Sequence, residues 1–274
     1  MSLIQAIILG VFQGVAEFLP ISSSGHLALL QHLFNIKEGN LFFAEMLHFG
    51  TLISIVIVYF NDIVKIIVDM LKLLGDLIRR RKIKKLTTHQ KLGLLIITGS
   101  IPTAIIGLTL EDYFESLYTS ILPIGIALIF TGFLLWIAEK RAFDNRNIND
   151  MTILDSIFIG TLQGIAIIPG ISRSGSTIVA GLFRGLDKSF ATEYSFLLAL
   201  PATFGAFLLG IRQVVKEGTG MMINFPLVVG VILSAVVGVI SIKLLVKLIK
   251  RNKLYYFSYY LWIVGALTIV SQII

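Results

Sequence analysis

Six long apolar runs cover residues 42–60, 92–109, 120–138, 189–210, 224–248 and 255–273. Roughly 20 such residues carry an α-helix across the hydrocarbon core of a bilayer, so each run reads as a transmembrane helix. Strict apolar/polar alternation is absent, which argues against a membrane barrel. Two other apolar segments, 2–35 and 153–185, are interrupted. Each holds an apolar stretch, a break rich in Pro, Gly and Ser, and then a shorter apolar stretch. Two full crossings and a turn need more than about 40 residues. These segments are therefore expected as re-entrant helical hairpins that dip into the membrane and return to the same side.

The two breaks are copies of one another. The first reads Gly10-Val-Phe-Gln13-Gly14-Val-Ala-Glu17-Phe-Leu-Pro20-Ile21-Ser22-Ser23-Ser24-Gly25-His26. The second reads Gly160-Thr-Leu-Gln163-Gly164-Ile-Ala-Ile-Ile-Pro169-Gly170-Ile171-Ser172-Arg173-Ser174-Gly175-Ser176, at a constant offset of 150. Each copy continues into three of the six spans. Three crossings are an odd number, so the second copy starts on the opposite face of the membrane. The expected fold is an all-α polytopic membrane protein of two inverted-topology repeats, each a re-entrant helical hairpin plus three transmembrane helices. It forms a single integral membrane domain over 1–274, with internal repeats 1–140 and 151–274.

Composition strengthens the class. Of 274 residues, 56% are hydrophobic and only 14% charged, against about 25% charged in soluble domains. There is no cysteine, which excludes disulfides and thiolate catalysis. His26, His32, His48 and His89 have no zinc-site spacing. The first apolar segment lacks the basic start of a cleavable signal and runs directly into the first break, so it is expected to belong to the mature fold.

The net charge of +7 is laid out by topology, and no nucleic-acid partner is expected. Lys65, Lys72, Arg79, Arg80, Arg81, Lys82, Lys84, Lys85 and Lys91 lie in the 61–91 connection. Lys140, Arg141, Arg146, Arg184, Lys188, Lys243, Lys247, Lys250, Arg251 and Lys253 fall on the same predicted side. The other side holds Lys37, Arg212, Lys216 and the acidic cluster Glu111, Asp112 and Glu115. The excess of cations marks the cytoplasmic side and places both termini outside. The first hairpin then enters from outside and the second from the cytoplasm. The run at 79–85 reads as an anchor at headgroup level rather than a binding site.

The second break, Ser172-Arg173-Ser174-Gly175-Ser176-Thr177, has the composition of a phosphate or pyrophosphate cradle. A broken helix leaves backbone N–H groups free at the start of its next half, and they attract anions. A guanidinium adds a planar fork that can hold two phosphate oxygens. The spacing is not that of a Walker loop, and the bland alternative is a helix cap with a snorkelling arginine. In the first break, Gln13 and Glu17 share one helical face. Glu17 could hold a metal ion, act as a base, or pair with Arg173. His26, beside a run of serines, could move a proton or activate a nucleophile. Glu45, His48 and Glu193 lie inside predicted spans and form a second tier. Glu45 and Glu193 sit at similar places in the two repeats. Pro102 and Pro201 are expected to bend their spans.

With these residues in view, the chain resembles the undecaprenyl pyrophosphate phosphatase family, bacterial membrane proteins linked to bacitracin resistance. The family's Glu/Gln-x-x-x-Glu motif corresponds to Gln13-Gly-Val-Ala-Glu17. Its Pro-Gly-x-Ser-Arg-Ser-x-x-Thr motif corresponds to Pro169-Gly-Ile-Ser172-Arg173-Ser174-Gly-Ser-Thr177, and its Ser-Ser-x-Gly-His turn to Ser22-Ser23-Ser24-Gly25-His26. The likeness runs nearly end to end. It implies hydrolysis of a lipid-linked pyrophosphate to the monophosphate and phosphate, in a bacterial plasma membrane, at a site open to the outer face. It also implies a divalent cation, Mg²⁺ or Ca²⁺. The family motif allows glutamate where this chain has Gln13, so Glu17 is the carboxylate expected to touch a metal or act as base. Arg173, Ser172, Ser174 and Thr177 are expected to hold the pyrophosphate, with Gln13 and Ser22 nearby. His26 is expected to transfer a proton and Ser23 to be the nucleophile, with direct attack by water as the rival. The partners expected are undecaprenyl pyrophosphate, the bilayer and, with the oligomeric state left open, a second copy in a homodimer. A polyprenyl-phosphate flippase with the same repeats is the alternative function.

Overall fold

The computed structural model describes residues 2–33, 41–81, 85–140, 145–217 and 223–272. Among the described residues the chain is helical, with one isolated bridge between Arg146 and Leu186 and no strand. The first half of the chain contains α1 (Leu3–Ala16), α2 (Ser23–Leu33), α3 (Leu41–Val58), α4 (Phe60–Ile78), α5 (Thr88–Thr109), α6 (Glu111–Ser116), a 3₁₀ turn at Leu117–Thr119 and α7 (Ile121–Lys140). The second contains α8 (Ile153–Ile165), α9 (Arg173–Phe183), α10 (Lys188–Glu217), α11 (Phe225–Lys250) and α12 (Tyr255–Val270). All six predicted spans fall on helices, although α12, at 16 residues, is shorter than the predicted 255–273 run and than a full bilayer crossing needs.

Four of these helices are long and apolar enough to cross a membrane, namely Thr88–Thr109, Ile121–Lys140, Lys188–Lys216 and Phe225–Lys250. A fifth span is made if α3 and α4 count as one, although they are bent by 82° at their junction. The outer faces are apolar: Ile101, Ile105, Ile126, Ile232, Ile240 and Ile263 are each more than half exposed. In water these surfaces would aggregate, whereas hydrocarbon covers them at no cost. The chain is a multi-pass membrane protein.

The offset of 150 extends to local chemistry. Ser2 caps α1 in a box with Gln5, and Thr152 caps α8 in a box with Asp155. Each box satisfies two N–H groups that a helix start would otherwise leave bare. Helices α1, α2, α8 and α9 have 14, 11, 13 and 11 residues. At 1.5 Å per residue none reaches the roughly 30 Å of a bilayer core.

Packing exchanges the halves. Helix α1 lies along α11 of the other repeat, and its counterpart α8 lies along α5. Missing side chains permit both contacts. A Cβ on Gly160 would stand 1.8 Å from the Gly99 carbonyl oxygen, and one on Gly10 would stand 2.5 Å from that of Gly230. Helices α7 and α12, the last of each repeat, meet at Gly125 and Gly265. Small residues let helix backbones approach where lipid offers no hydrophobic drive for association. The two breaks meet reciprocally: Gly25 abuts Gly170, and Gly175 abuts Pro20.

The 61–91 connection contains more than a loop. Its apolar positions recur at helical spacing, so it winds into α4, which packs on α5 through Ile66 and Met70 at Gly93. Lys37, Lys82, Lys84 and Arg141, used in the charge argument, lie outside the described residues, as do the side chains of Glu111, Asp112 and Glu115.

Candidate active site

Proline ends the first half-helix of each break. Pro20 follows α1 and Pro169 follows α8, and neither can donate the N–H that would continue the helix. In the second break the chain turns at Gly170, whose φ of 93° suits glycine. The first break has Pro20 at that place, and the left-handed residue is instead Ser22, with φ of 70°. A serine held there stores of the order of 1 kcal/mol and is kept by its surroundings. The next half-helices then start alike. The Gly25 N–H donates to Ser22 Oγ at 3.3 Å, and the Gly175 N–H donates to Ser172 Oγ at 3.2 Å. Ser23 and Arg173 therefore occupy equivalent first positions of α2 and α9.

Glu17 is the centre of the site. Its Oε2 accepts from Ser23 Oγ at 2.7 Å and from Gln13 Nε2 at 3.0 Å. Its Oε1 is paired with Arg173 Nη2. The other arm of that fork, Nη1, donates to Thr203 Oγ1 at 3.0 Å. Gln13 Nε2 also lies 2.9 Å from His48 Nδ1, which is 3.4 Å from Glu17. One ring nitrogen cannot accept from Gln13 and donate to Glu17 together. Nδ1 therefore serves Gln13 or Glu17, according to which ring nitrogen carries the hydrogen. Glu17 is 7% exposed, so its charge is set by these partners rather than by water. The positive ends of two helices, α2 and α9, converge on this cluster, which suits an anion.

Residues 6–267 match the family model of bacitracin resistance protein BacA. The chain belongs to that family. It is 47% identical, with all of both chains covered, to an undecaprenyl-diphosphatase of Alkaliphilus metalliredigens. It is 40% identical to an undecaprenyl-diphosphatase of Carboxydothermus hydrogenoformans, covering 99% of this chain and 98% of the relative. It is also 40% identical to one of Methanosphaera stadtmanae, covering 100% of this chain and 99% of the relative.

In this BacA-family chain the predicted residues divide into two groups. Gln13, Glu17, Ser23, His48 and Arg173 come together as described. The hydroxyls of Ser172, Ser174 and Thr177 are buried and turned into the protein. Ser172 Oγ lies 3.3 Å from Ser174 Oγ, and Ser174 Oγ donates to the Leu19 carbonyl at 3.4 Å. Thr177 Oγ1 donates to the Arg173 carbonyl at 2.9 Å and meets Ser195 Oγ. These groups hold the two breaks in place. Arg173, with its side chain 20% exposed, is the donor left facing outward.

His26 points elsewhere. Its Nδ1 lies 2.9 Å from the Ser22 carbonyl oxygen and must donate to it, so its Nε2 accepts from Tyr260 Oη at 2.8 Å. The ring stacks between Phe12 and Tyr260. Among the described residues no hydrogen bond joins His26 to Glu17, Ser23 or Arg173. In this arrangement His26 pins the left-handed Ser22 that delivers Ser23 to Glu17. Tyr260→Phe removes one hydrogen bond and keeps the stack, so kcat is expected to fall about ten-fold with KM unchanged. His26→Ala loses both and is expected to fall further, by about 100-fold. Steady-state kinetics on both variants checks this, and a His26→Ala loss as large as that of Ser23→Ala would restore a proton-transfer role.

The second tier separates. Glu45 sits in the electrostatic neighbourhood of His48 and Glu17 and lies against Gly210 of α10. Glu193 faces Tyr59 and Asp62 instead. Equivalent places in the repeats thus have different surroundings. Sequence reasoning did not single out Tyr260, Ser195 or Tyr118, which is within hydrogen-bonding reach of Ser24. Thr203 stood in the Pro201-Ala202-Thr203 run, which was read for its proline alone.

Among the described residues no group of three His, Asp or Glu could hold a metal ion. The donors do not make a closed cage. Glu17 Oε1 is paired with Arg173 and its Oε2 accepts from Ser23 and Gln13, so a hydrated Mg²⁺ or Ca²⁺ would have to take most of its ligands from phosphate and water.

Proposed function

We infer that the protein is an integral-membrane undecaprenyl-diphosphatase, a hydrolase that cleaves undecaprenyl pyrophosphate to undecaprenyl phosphate and inorganic phosphate. The observation that carries the chemistry is the Ser23–Glu17–Arg173 cluster at the meeting point of two helix N-termini. The names of the relatives supply the substrate. Binding or transport of a lipid phosphate would need the arginine and the helix ends, but not a hydroxyl aimed at a carboxylate.

Glu17 accepts the Ser23 proton as Ser23 Oγ attacks the terminal phosphorus. The bond from that phosphorus to the bridging oxygen breaks, and undecaprenyl phosphate leaves. Arg173 and the first N–H groups of α2 and α9 stabilise the charge on the equatorial oxygens. Glu17 passes the Ser23 proton to the departing undecaprenyl phosphate, then takes one from the attacking water and returns it to Ser23 Oγ as the phosphoserine bond breaks and inorganic phosphate leaves. Gln13, together with His48, holds the Glu17 carboxylate in place. Glu17 would be the residue to hold a divalent cation, which would supply charge neutralisation on the substrate. The test is phosphate release from undecaprenyl pyrophosphate by purified protein, with EDTA and after addition of Mg²⁺ or Ca²⁺. Release lost with EDTA and regained with metal is expected; release indifferent to EDTA would remove the cation, and no release at all would remove the enzyme.

The short paired helices α1–α2 and α8–α9, the exchanged packing and the reciprocal contact at the breaks support two inverted repeats whose re-entrant hairpins meet near the midplane. With the cation-rich side in the cytoplasm of a bacterial plasma membrane, both termini and the mouth of the site face outward. The chain has no cysteine, so single substitutions report cleanly. Lys85→Cys in intact cells is expected to resist an impermeant maleimide that labels Lys216→Cys, and the reverse pattern would invert the topology.

A further inference from the structure

Helix α4 presents three different faces. Leu73 is buried and Met70 and Ile66 pack at Gly93 of α5, while Gln90 of α5 donates to the Asp69 carbonyl. A second face carries Phe60, Ile67, Leu71, Leu74 and Ile78, all more than half exposed. The third face repeats its charges every seven residues, as Asp62, Asp69 and Asp76 with Lys65, Lys72 and Arg79. One edge therefore requires protein, one hydrocarbon and one water. A helix placed at the boundary of a bilayer meets all three, and the 82° bend from α3 turns α4 out of the direction of the preceding span.

Near its C-terminal end α4 forms a cleft of about 630 Å³ lined by Val68, Leu71, Lys72, Gly75, Arg79 and Arg81, together with Asp76. The cleft is open at Gly75, where an added Cβ would meet no atom within 4 Å. Lys72 is paired with Asp69 at 3.1 Å and Arg81 with Asp76 at 3.5 Å. Both cations are about two-thirds exposed, at 66% and 64%, and such surface pairs hold their partners weakly. Three cations and one carboxylate stand beside an apolar wall.

We propose that α4 lies in the headgroup layer and that this cleft binds an anionic phospholipid. Lys72, Arg79 and Arg81 hold the headgroup phosphate, and Val68 and Leu71 lie against its acyl chains. The charge excess selects an anion, and the adjoining apolar wall selects a lipid over free phosphate. The cations at the end of α4 then do more than set topology: they form one wall of a shaped site.

The test uses the full chain, purified in detergent and incubated with equal amounts of phosphatidylglycerol and phosphatidylcholine, with bound lipid read by native mass spectrometry. Preferential retention of phosphatidylglycerol is expected. Each cation removed from Lys72→Ala, Arg79→Ala and Arg81→Ala should lower that retention by about five-fold. Gly75→Leu sets a bulky side chain into the open middle of the cleft and keeps every charge. It should abolish the preference while leaving phosphate release from undecaprenyl pyrophosphate unchanged. Unchanged retention in the triple variant or in Gly75→Leu overturns the proposal. Equal loss of both lipids overturns it as well, because docking would then be apolar only. Displacement of phosphatidylglycerol by an equal concentration of undecaprenyl phosphate would assign the cleft to the substrate's own lipid class and also overturn it.

Discussion

Arg173→Ala is expected to lower kcat for phosphate release by about 10³-fold or more. The guanidinium acts twice. It faces the site with its planar fork divided between Glu17 and Thr203, and it neutralises the carboxylate that receives the Ser23 proton. Lysine replaces the rigid planar fork with a compact, more strongly hydrated point charge, so Arg173→Lys should recover only part of the loss, to about 10² below the parent. Removing the arginine also leaves a 7%-exposed carboxylate without its ion-pair partner, a change that costs about 3–5 kcal/mol of stability in buried pairs. The two effects separate in Arg173→Ala combined with Glu17→Gln. The double variant should regain much of the lost melting temperature and none of the turnover. Full turnover in Arg173→Ala, with the melting temperature also unchanged, would move the phosphate site elsewhere.

Ser23→Ala carries the second large effect. If Ser23 Oγ forms the phosphoserine, its loss should cut turnover by about 10³-fold or more, because among the described residues no other hydroxyl is placed on Glu17. Ser22→Ala and Ser24→Ala act as internal comparisons. The Ser22 side chain caps the start of α2, and Ser24 lies beside Tyr118. Each should lose about ten-fold or less. Rapid acid quench with a radiolabelled terminal phosphate should capture label on the parent chain and none on Ser23→Ala. Turnover of Ser23→Ala within ten-fold of the parent, with no label trapped on the parent, would establish direct attack by water.

Much of this site was legible along the chain because its parts are local. A carboxylate in an apolar half-helix and an arginine beside a proline break stand out where polar groups are costly. The copy at an offset of 150 showed that the two breaks belong together. Other features were not legible. Ser172, Ser174 and Thr177 carry the composition of an anion cradle, yet their hydroxyls are consumed inside the protein by Leu19, Ser195 and the α9 backbone. A hydroxyl bonds to whichever partner packing brings, and composition does not name that partner. His26 shows the same limit. Its place beside three serines suggests proton transfer, but its ring is stacked against Tyr260, a residue 234 positions away. Glu45 and Glu193 occupy similar places in the two copies, but only Glu45 stands near Glu17.

What the sequence determined by itself was the membrane class, the helical spans, the doubled break and the residues at its centre. Each follows from run length, proline and glycine placement, or the cost of burying charge, and all of these act over a few turns of chain. The tertiary structure alone decided that α1 docks on α11 and α8 on α5, and that Ser23 rather than His26 faces Glu17. These outcomes depend on which backbones can approach at Gly10, Gly99, Gly160 and Gly230. Close packing between segments far apart in sequence is a property of the assembled molecule, and no local pattern contains it.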